Sequence, residues 1–252
     1  MRHCDKHDVD YEPQAIRLPN GETIAMIGCP ACIQERDAQI DAEARALAAE
    51  SSTDQYRAMN IEPLFDGSCF ETFETPTPEL KHAKETVQRL VAGDVQQIVM
   101  TGKNGTGKTH LAIAALKKLG GKIYSMYEIT TRIRATYGYK AQEDELDVVN
   151  EMARLPLLVI DEIGRTKGSD AETNSLSFII DKRHSRNLPT ILISNKHVKK
   201  YCPNKALGGC KECLENYISD DIMSRINEGG ALLQFSGEDF RARRPIKRVE
   251  SG

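Results

Sequence analysis

From about residue 60 onward, short runs of apolar residues alternate with longer stretches of mixed polar and apolar residues. Runs of four or five residues, such as Leu157-Leu158-Val159-Ile160, are typical of strands that are covered on both faces. Strands that alternate with helices predict an α/β fold built on a parallel sheet. We expect five strands, at residues 97–101, 122–126, 157–160, 190–194 and 231–235.

Two helices are predicted before the first of these strands. Residues 33–58 are rich in Ala, Glu, Asp, Arg and Gln and contain neither Pro nor Gly, which favours a helix. The apolar face of this helix is thin and consists mostly of alanine, so we expect it to be exposed or to bind a partner. Residues 79–92 predict a second helix, which follows a break at 75–78 and ends at Gly93.

The chain divides by composition into a small N-terminal segment and a larger packed domain. Its 252 residues are enough for one core of ordinary size and a small appendage. Residues 1–32 are too few to bury much core, but they contain several potential metal ligands. We therefore expect an N-terminal module with its helix at 1–58 and an α/β domain at 60–252.

Charge and cysteine content exclude several classes of protein. A net charge of −3 and an isoelectric point near 6.1 provide no global basic field for nucleic acid, so such binding must use local clusters. No apolar run approaches the roughly 18 residues of a membrane span, and the first residues form no secretory signal. Seven cysteines without a signal favour a reducing compartment, so we expect a cytoplasmic protein without a membrane partner.

Residues 102–109, Gly-Lys-Asn-Gly-Thr-Gly-Lys-Thr, match the phosphate-binding loop G-x-x-x-x-G-K-[ST] in full. A predicted strand precedes this loop and a predicted helix follows it, so backbone N–H groups and the helix N-terminus would point at phosphates. Lys108 is expected to reach the β- and γ-phosphates of ATP, and the Thr109 hydroxyl to bind Mg²⁺. The candidate nucleotide-binding residues are Gly102, Asn104, Gly105, Thr106, Gly107, Lys108 and Thr109.

Three polar residues at strand ends complete a candidate hydrolysis site. The apolar run 157–160 is followed by Asp161, which can hold Mg²⁺, and by Glu162, which can polarise an attacking water. The pair favours ATP hydrolysis over phosphorylation of a metabolite. Asn195 follows the next strand and can orient water or the γ-phosphate, although an Asn that caps a turn would look the same.

In combination these motifs resemble the AAA+ ATPases, and more narrowly the DnaC/DnaI family of helicase loaders, with the IstB transposition helpers as close relatives. The resemblance covers roughly residues 60–248, and its segments follow in the family's order at 69–73, 102–109, 161–164, 189–195, 220–226 and 239–243. It implies an AAA+ P-loop ATPase with a parallel five-stranded sheet, preceded by a small N-terminal zinc module and helix.

The resemblance also implies self-assembly through AAA+ interfaces. Arg225 would then reach the γ-phosphate of ATP that is held by a neighbouring subunit, and Arg241 would contact the nucleotide of its own subunit. From the residues alone, Arg225 is equally compatible with a surface salt bridge on a short helix. Arg243 and Arg244 are placed as well as Arg241 for the second role.

Paired ligands near the N-terminus predict a zinc site. Cys4-x-x-His7 and Cys29-x-x-Cys32 offer three thiolates and one imidazole, a set that suits tetrahedral Zn²⁺, and His3 could replace His7. A bound metal would supply the folding free energy that so short a segment lacks. Loaders that resemble DnaC carry an N-terminal cysteine-rich module that contacts the replicative helicase, which implies the same partner here.

A second group of potential ligands lies between the strand at 190–194 and Arg225. It comprises His197, Cys202, Cys210 and Cys213. The C-x-x-C pair could complete a second zinc site, and a surface loop with unligated cysteines explains the same pattern. The family pattern has only a brief connection at this place, so the segment is a departure from it.

Residues 128–140 combine basic and aromatic side chains on a predicted helix. The resemblance implies that this helix faces the axis of an assembled ring, where Arg132, Arg134 and Tyr137 would contact single-stranded DNA. The alternative is a solvated amphipathic helix that buries Ile129 and Ile133.

These features predict an ATP-dependent helicase loader for DNA replication. Its N-terminal module would bind the replicative DNA helicase, and its ATPase domain would bind ATP, Mg²⁺ and single-stranded DNA. Hydrolysis would release the helicase, with slow intrinsic turnover because the arginine comes from a neighbour. Two alternatives remain open: an IstB-like transposition helper with the same ATPase core, and a nucleotide-gated adaptor that hardly hydrolyses ATP.

Overall fold

The computed structural model describes residues 1–12, 15–17, 23–25, 29–138, 141, 143–165, 170–204, 206 and 210–240. The chain divides into two compact units, Met1–Gln55 and Tyr56–Gly252. No helix in the described ranges is both long enough and apolar enough to cross a membrane.

The first unit contains two small antiparallel strand pairs and most of a long helix. Strand β1 (Arg2–Cys4) pairs with β2 (Val9–Tyr11), and β3 (Ala15–Arg17) pairs with β4 (Thr23–Ala25). Strands of three residues leave almost no alternation in the sequence, which is why the pattern of apolar positions did not predict them. Helix α1 spans Pro30–Ala58 and begins with proline, a residue that suits the first helical turn because it lacks an N–H group.

The second unit is built on a five-stranded sheet that is parallel throughout. Its strands lie in the order β6-β7-β8-β5-β9, which confirms the predicted parallel five-stranded sheet. They are β5 (Gln97–Gly102), β6 (Lys122–Ser125), β7 (Leu158–Ile163), β8 (Thr190–Ser194) and β9 (Ala231–Phe235). Strand β8 lies between β7 and β5, so the carboxyl ends of these three strands meet at one edge of the sheet.

Within the described ranges, six helices cover the two faces of this sheet. They are α2 (Pro78–Ala92), α3 (Lys108–Leu119), α4 (Met126–Ala135), α5 (Glu145–Met152), α6 (Asp170–His184) and α7 (Asp220–Gly229). The ends of α2 follow from its sequence, because the Thr77 side chain accepts a hydrogen bond from Leu80 N–H and Gly93 adopts a left-handed conformation. Ser125 with Glu128 and Asp144 with Asp147 form reciprocal capping boxes at the starts of α4 and α5.

Successive strand residues face opposite layers of the core. On β5, Ile98 and Met100 pack with α2 and α3, whereas Val99 packs with the helices of the other face. The same alternation holds on β8, where Ile191 and Leu192 face opposite sides. Because both faces are covered, the strands read as continuous apolar runs, as the sequence predicted.

A buried arginine on α6 connects the end of α5 to the start of β8. Arg183 on α6 has no exposed surface, and its guanidinium donates to the carbonyl oxygens of Met152, Leu155 and Pro189 and to Thr190 Oγ1 at 2.5–2.9 Å. Burial lowers the pKa of this guanidinium to about 10. The side chain therefore satisfies backbone carbonyls that would otherwise lie unpaired after α5 and before β8.

Candidate nucleotide site and metal centres

The phosphate-binding loop connects β5, which ends at Gly102, to α3, which begins at Lys108. Gly105 and Gly107 have φ angles of 72° and 93°, a region that favours glycine. A Cβ at Gly105 would lie 1.6 Å from Asp239 Oδ1, and one at Gly107 would lie 2.8 Å from Phe73 Cε2. The surrounding chain therefore leaves no room for side chains, and the backbone of the loop stays open toward the pocket.

Lys108 lies inside this loop. Its side chain is buried, and Nζ donates to the carbonyl oxygens of Gly102 and Lys103 at 2.8 and 2.6 Å. Thr106 Oγ1 also donates to the Lys103 carbonyl, at 2.9 Å. The ammonium group is thus held within the concave side of the loop, where the motif predicts phosphate binding.

The two predicted Mg²⁺ ligands lie in direct contact. Thr109 Oγ1 donates to Asp161 Oδ2 at 2.8 Å, although the two residues are 52 positions apart in sequence. Burial raises the pKa of Asp161, while the hydrogen bonds from Thr109 and from the Glu162 N–H act in the opposite direction. A hydroxyl and a carboxylate at this spacing fit the ligand set of Mg²⁺ in a phosphate-loop enzyme.

Glu162 occupies an unusual backbone position beside this pair. Its φ angle is 59°, and the pairing of β7 with β8 shifts register between Ile160 and Ile163. A left-handed backbone conformation costs free energy for residues other than glycine, and such residues occur preferentially at functional sites. The bulge lets Asp161 and Glu162 both reach the pocket, whereas a regular strand would direct consecutive side chains to opposite faces.

Arg165 holds the Glu162 carboxylate. Its Nη1 donates to Oε1 and Oε2 of Glu162 at 2.7 and 2.8 Å. Arg165 itself is largely exposed, with 72% of its side chain accessible. No pattern in the sequence separates Arg165 from other surface arginines, so its contact with Glu162 could not be predicted.

A cavity of about 650 Å³ joins these groups. The size lies within the range of about 300–1,000 Å³ that is typical of small-molecule sites. Its lining includes the phosphate loop, Asp161, Glu162 and Asn195, so the structure brings these predicted residues to one place. Further lining residues, which sequence reasoning missed, are Leu64, Phe65, Ser68, His110, Arg165 and Phe240.

Two segments far apart in sequence supply the apolar part of this lining. Leu64 and Phe65 lie before α2 in the second unit, and Phe240 follows β9, with its N–H donating to the Gly105 carbonyl at 3.0 Å. Phe73 meets His110 edge to face at 5.5 Å between ring centroids. The cavity thus has a polar end for phosphates and apolar walls that suit a nucleobase.

The structure describes one of the two arginines that the resemblance implies. Arg225 lies on α7, where its Nε is 2.6 Å from Asp181 Oδ1 on α6. Within the described residues it does not line the cavity. Arg241 lies outside the described residues, as do Arg243 and Arg244.

The residues predicted to contact DNA lie on and after α4. The Arg132 guanidinium donates to Glu143 and Glu151 at 2.6–2.7 Å, and Tyr137 OH donates to Glu145 at 3.1 Å. Arg134 and Tyr137 are exposed, while Ile129 and Ile133 are buried. Arg132 would therefore have to leave two carboxylates in order to bind phosphate.

Four potential zinc ligands of the first unit converge as predicted. One ligand atom from each of Cys4, His7, Cys29 and Cys32 lies within 4.8 Å of all the others. The three sulfurs are 3.3–3.6 Å from His7 Nδ1, and Cys4 Sγ is 3.7 Å from Cys32 Sγ. Tetrahedral Zn²⁺ with ordinary bond lengths gives about 3.5 Å between nitrogen and sulfur and about 3.7 Å between sulfurs.

The choice between the two histidines follows from these positions. His7 directs Nδ1 at the sulfurs, while its Nε2 lies 3.1 Å from Glu35 Oε1. A carboxylate behind a ligating imidazole is a common support in zinc sites. His3 instead pairs with Asp10 at 2.9 Å, so His7 is the residue that fits the site.

The second cysteine group also converges. Ligand atoms of His197, Cys202, Cys210 and Cys213 all lie within 4.8 Å of one another. Cys202 and Cys213 are buried, and Cys210 Sγ is 3.2 Å from His197 Nε2. The donor set is the same as in the first unit, three thiols and one imidazole.

Comparisons with known proteins agree with this architecture. DnaC, the replicative helicase loader of Escherichia coli K12, is 27% identical to this chain over 217 residues, which are 82% of each protein. Among solved structures, a DnaC helicase loader matches with a TM-score of 0.57 and 21% identity, covering 69% of this chain and 100% of that one. DnaI matches with a TM-score of 0.52 and 19% identity, over 67% of this chain and 91% of that one.

The structural likenesses establish the fold, which is that of the AAA+ ATPases, as the sequence motifs implied. The family model described as IstB-like ATP binding protein matches residues 44–247, a range that contains the phosphate loop, both acids and Arg225. With the phosphate loop, Thr109 and Asp161 assembled at one cavity and four-fifths of the chain matched, this protein belongs to the family of IstB-like ATP binding proteins.

Proposed function

We propose that this protein is an ATP-dependent loader of the replicative DNA helicase. The observation that carries the proposal is an assembled nucleotide site in a chain that aligns with the helicase loader DnaC over 82% of both proteins. The alignment extends well beyond the nucleotide motifs, which many unrelated ATPases share. It therefore supports a common task and not only a common fold.

ATP binding is assigned to the phosphate loop and its surroundings. Backbone N–H groups of Asn104 to Thr109 and the Lys108 ammonium would hold the phosphates, while Phe65 and Phe240 would flank the base. Thr109 and Asp161 would hold Mg²⁺, which supplies charge neutralisation at the phosphates. Their contact at 2.8 Å supports this assignment, because both ligands are already in place.

Hydrolysis is assigned to Glu162, Asn195 and Arg225. Glu162 would accept a proton from the attacking water, and Asn195 at the end of β8 would orient the water or the γ-phosphate. Arg225 would act on ATP that is bound by a neighbouring copy, which fits its position on α7, away from the cavity lining of its own chain. Arg241 is assigned, as the resemblance implies, to contact the nucleotide that is bound by its own chain.

A zinc module would provide the contact with the helicase. Cys4, His7, Cys29 and Cys32 offer four protein ligands, and a complete ligand set is typical of structural zinc. The metal would stabilise paired strands of only three residues each, which cannot bury a core of their own. Helix α1 follows directly and would extend the surface that the helicase meets.

Single-stranded DNA is assigned to the exposed side of α4 and the residues that follow. Arg134 would neutralise phosphate and Tyr137 would stack on a base. Tyr127 is 66% exposed and lies on the same helix, where it could add a second aromatic contact. Arg132 would contribute only after release from Glu143 and Glu151.

The nucleotide would act as a switch between two states of the assembly. ATP favours the state in which neighbouring copies share their sites, and this state holds the helicase. Hydrolysis removes that preference and releases the helicase. Basal turnover is expected to be slow, because the arginine that completes each site comes from another copy.

Loading of the host's replicative helicase onto closed circular single-stranded DNA tests the proposal. With ATP, the parent protein should leave helicase on the circles after a salt wash, and Lys108→Ala should abolish this. The control is Lys81→Ala, which removes an exposed lysine from α2 and should load as the parent does. Equal loading with and without the protein would contradict the proposal.

The match to the IstB-like family is one specific reason to keep a second candidate, an ATPase that assists transposition, the role that the sequence resemblance implies for IstB proteins. Such a protein shares the nucleotide site but has no need of the zinc module at the N-terminus. Cys4→Ser with Cys29→Ser distinguishes the two: loss of helicase loading with ATP binding intact supports the loader. Stimulation of a transposase strand-transfer reaction by the same variant would favour the second candidate.

A further inference from the structure

We propose that His197, Cys202, Cys210 and Cys213 bind a second zinc ion, which fastens the chain that leaves β8 to the segment that leads into α7. The site is separate from the N-terminal one and belongs to the ATPase domain. It is structural, because four protein ligands complete a tetrahedral shell and leave no position open for substrate.

The distances support a tetrahedral ion. All four ligand atoms lie within 4.8 Å of one another. Cys210 Sγ is 3.2 Å from His197 Nε2 and 4.0 Å from Cys213 Sγ. Zinc requires about 3.5 Å and about 3.7 Å for these two kinds of pair, so a small movement of each side chain suffices.

Backbone N–H groups are already directed at the sulfurs. The Asn204 N–H donates to Cys202 Sγ and the Cys210 N–H donates to Cys213 Sγ, both at 3.3 Å. Donors of this kind stabilise negative charge, and thiolate is the form of cysteine that binds metal. Cys202 and Cys213 are also buried, so the ion would be shielded from water.

The ligand types select the metal. Three thiolates and an imidazole are soft and borderline donors, which suit zinc and disfavour Mg²⁺ or Ca²⁺. A disulfide would use two of the cysteines but would leave His197 and the third sulfur packed together without a reason. Zinc accounts for the convergence of all four groups.

The site lies where two parts of the chain meet without a continuous sheet. His197 forms an isolated parallel bridge with Cys213, and the Leu214 N–H donates to the His197 carbonyl at 2.8 Å. Lys199 N–H donates to Glu215 Oε1, also at 2.8 Å. These bonds lie within the 25-residue connection between Ser194 and Asp220, which a metal would strengthen.

The connection joins two elements of functional interest. Asn195 precedes His197 by two residues and lines the nucleotide cavity, while Leu214 and Ile218 are buried against the core that also holds Ile222 of α7. The zinc would therefore fix the path from the end of β8 to the start of the helix that carries Arg225. No step of ATP chemistry is needed for this role.

Zinc content of the full chain, purified without added metal and washed with a mild chelator, tests the inference. The parent should retain about two zinc ions per chain, and Cys202→Ser with Cys213→Ser about one. Cys69→Ser is the matched control, since Cys69 belongs to neither group, and it should retain about two.

The decisive variant changes the other site. Cys4→Ser with Cys29→Ser changes only the first unit and leaves the sequence of residues 56–252 unaltered. Zinc that this variant retains therefore reports the proposed site. About one zinc per chain supports the inference. A parent with a single zinc and this variant with none would overturn it.

The rate of proteolysis measures whether zinc stabilises the connection between β8 and α7. In the Cys4→Ser, Cys29→Ser background, removal of zinc with a strong chelator should speed tryptic cleavage after Lys199, Lys200 and Lys211 by about tenfold or more, and added zinc should reverse this. Cleavage after Lys81 on α2 is the internal control. Equal rates at the three lysines with and without zinc would contradict the fastening role.

Discussion

Asp161 carries its charge at a place where burial opposes ionisation. Burial raises the pKa of this carboxyl group, and two hydrogen bonds, from Thr109 Oγ1 and from the Glu162 N–H, counteract the rise. A cation bound between Thr109 and Asp161 would favour the ionised form further.

Glu162 differs from Asp161 in that it has no role in holding the metal. Glu162→Gln should therefore reduce ATP turnover by roughly 100-fold or more, because an amide cannot accept the proton of the attacking water. ATP affinity should stay within about threefold of the parent. Steady-state hydrolysis and fluorescent-nucleotide titration measure the two quantities, and unchanged turnover would favour an adaptor without a hydrolytic cycle.

Arg165 restrains Glu162 in the present arrangement. Its two contacts engage both carboxylate oxygens, which water activation would need to be available. Since exposed ion pairs are worth up to about 1 kcal/mol, Arg165→Ala should raise basal turnover by up to about fivefold. Arg154→Ala removes an exposed arginine remote from the cavity and should leave turnover unchanged; a fall in turnover with Arg165→Ala would mean that Arg165 assists the reaction.

At the level of elements, the buried Arg183 joins α6 to the ends of α5 and β8. Arg183→Ala should lower the free energy of unfolding by about 3–5 kcal/mol, because several buried oxygens lose their donor together. Arg154→Ala should change it by less than about 0.5 kcal/mol. Urea unfolding measures both, and equal midpoints would show that water replaces the guanidinium.

A network of charges links α4 to α5. Arg132 lowers the pKa of Glu151 to about 2, with a smaller contribution from Lys122, while burial opposes both. In the unfolded chain the same group titrates near 4.3. Its stabilisation is therefore complete above about pH 4.5 and is lost as the pH falls toward 2.

Glu151→Gln tests that linkage. The parent should be more stable than the variant at neutral pH, and the difference should shrink between about pH 4.5 and 2, as measured by urea unfolding at each pH. Glu85→Gln, which changes an exposed carboxylate on α2, is the control. A difference that grows on acidification would contradict the assignment of the stabilisation to the charged form.

Elements with strong local signals were predicted well from the sequence. The apolar runs located all five strands of the parallel sheet to within a few residues. Gly93 ends α2 as expected, and the helix begins at Pro78, one residue before the predicted start. The strand pairs of the first unit were not predicted, because three-residue strands such as β1 carry no periodicity. Helix α1 begins at Pro30, three residues earlier than the composition suggested.

The residues of the candidate site also differ in whether a local sequence pattern predicts them. Residues within one motif, such as Lys108 and Thr109, could be assigned before the structure, as could Asp161 at the end of a strand. Phe65 and Phe240 could not, because they reach the cavity only through the packing of two distant segments. Arg165 acts through a bulge at Glu162 that no local pattern encodes.

On the scale of the whole molecule, the chain combines a candidate nucleotide site, a candidate zinc module and similarity to a helicase loader. Each of the first two could exist in a protein with another task. The proposed partner, the replicative helicase, would unite them, and its binding should depend on the nucleotide that the ATPase domain holds.

Size-exclusion chromatography with light scattering, on mixtures of this protein and the replicative helicase of its host, tests that dependence most directly. We expect a stable complex with ATP and a weaker or absent one with ADP. Glu162→Gln should hold the complex in ATP for longer than the parent, and Lys108→Ala should respond to neither nucleotide. A complex of the same strength with ATP, with ADP and without nucleotide, or no complex in any of the three, would contradict the central claim.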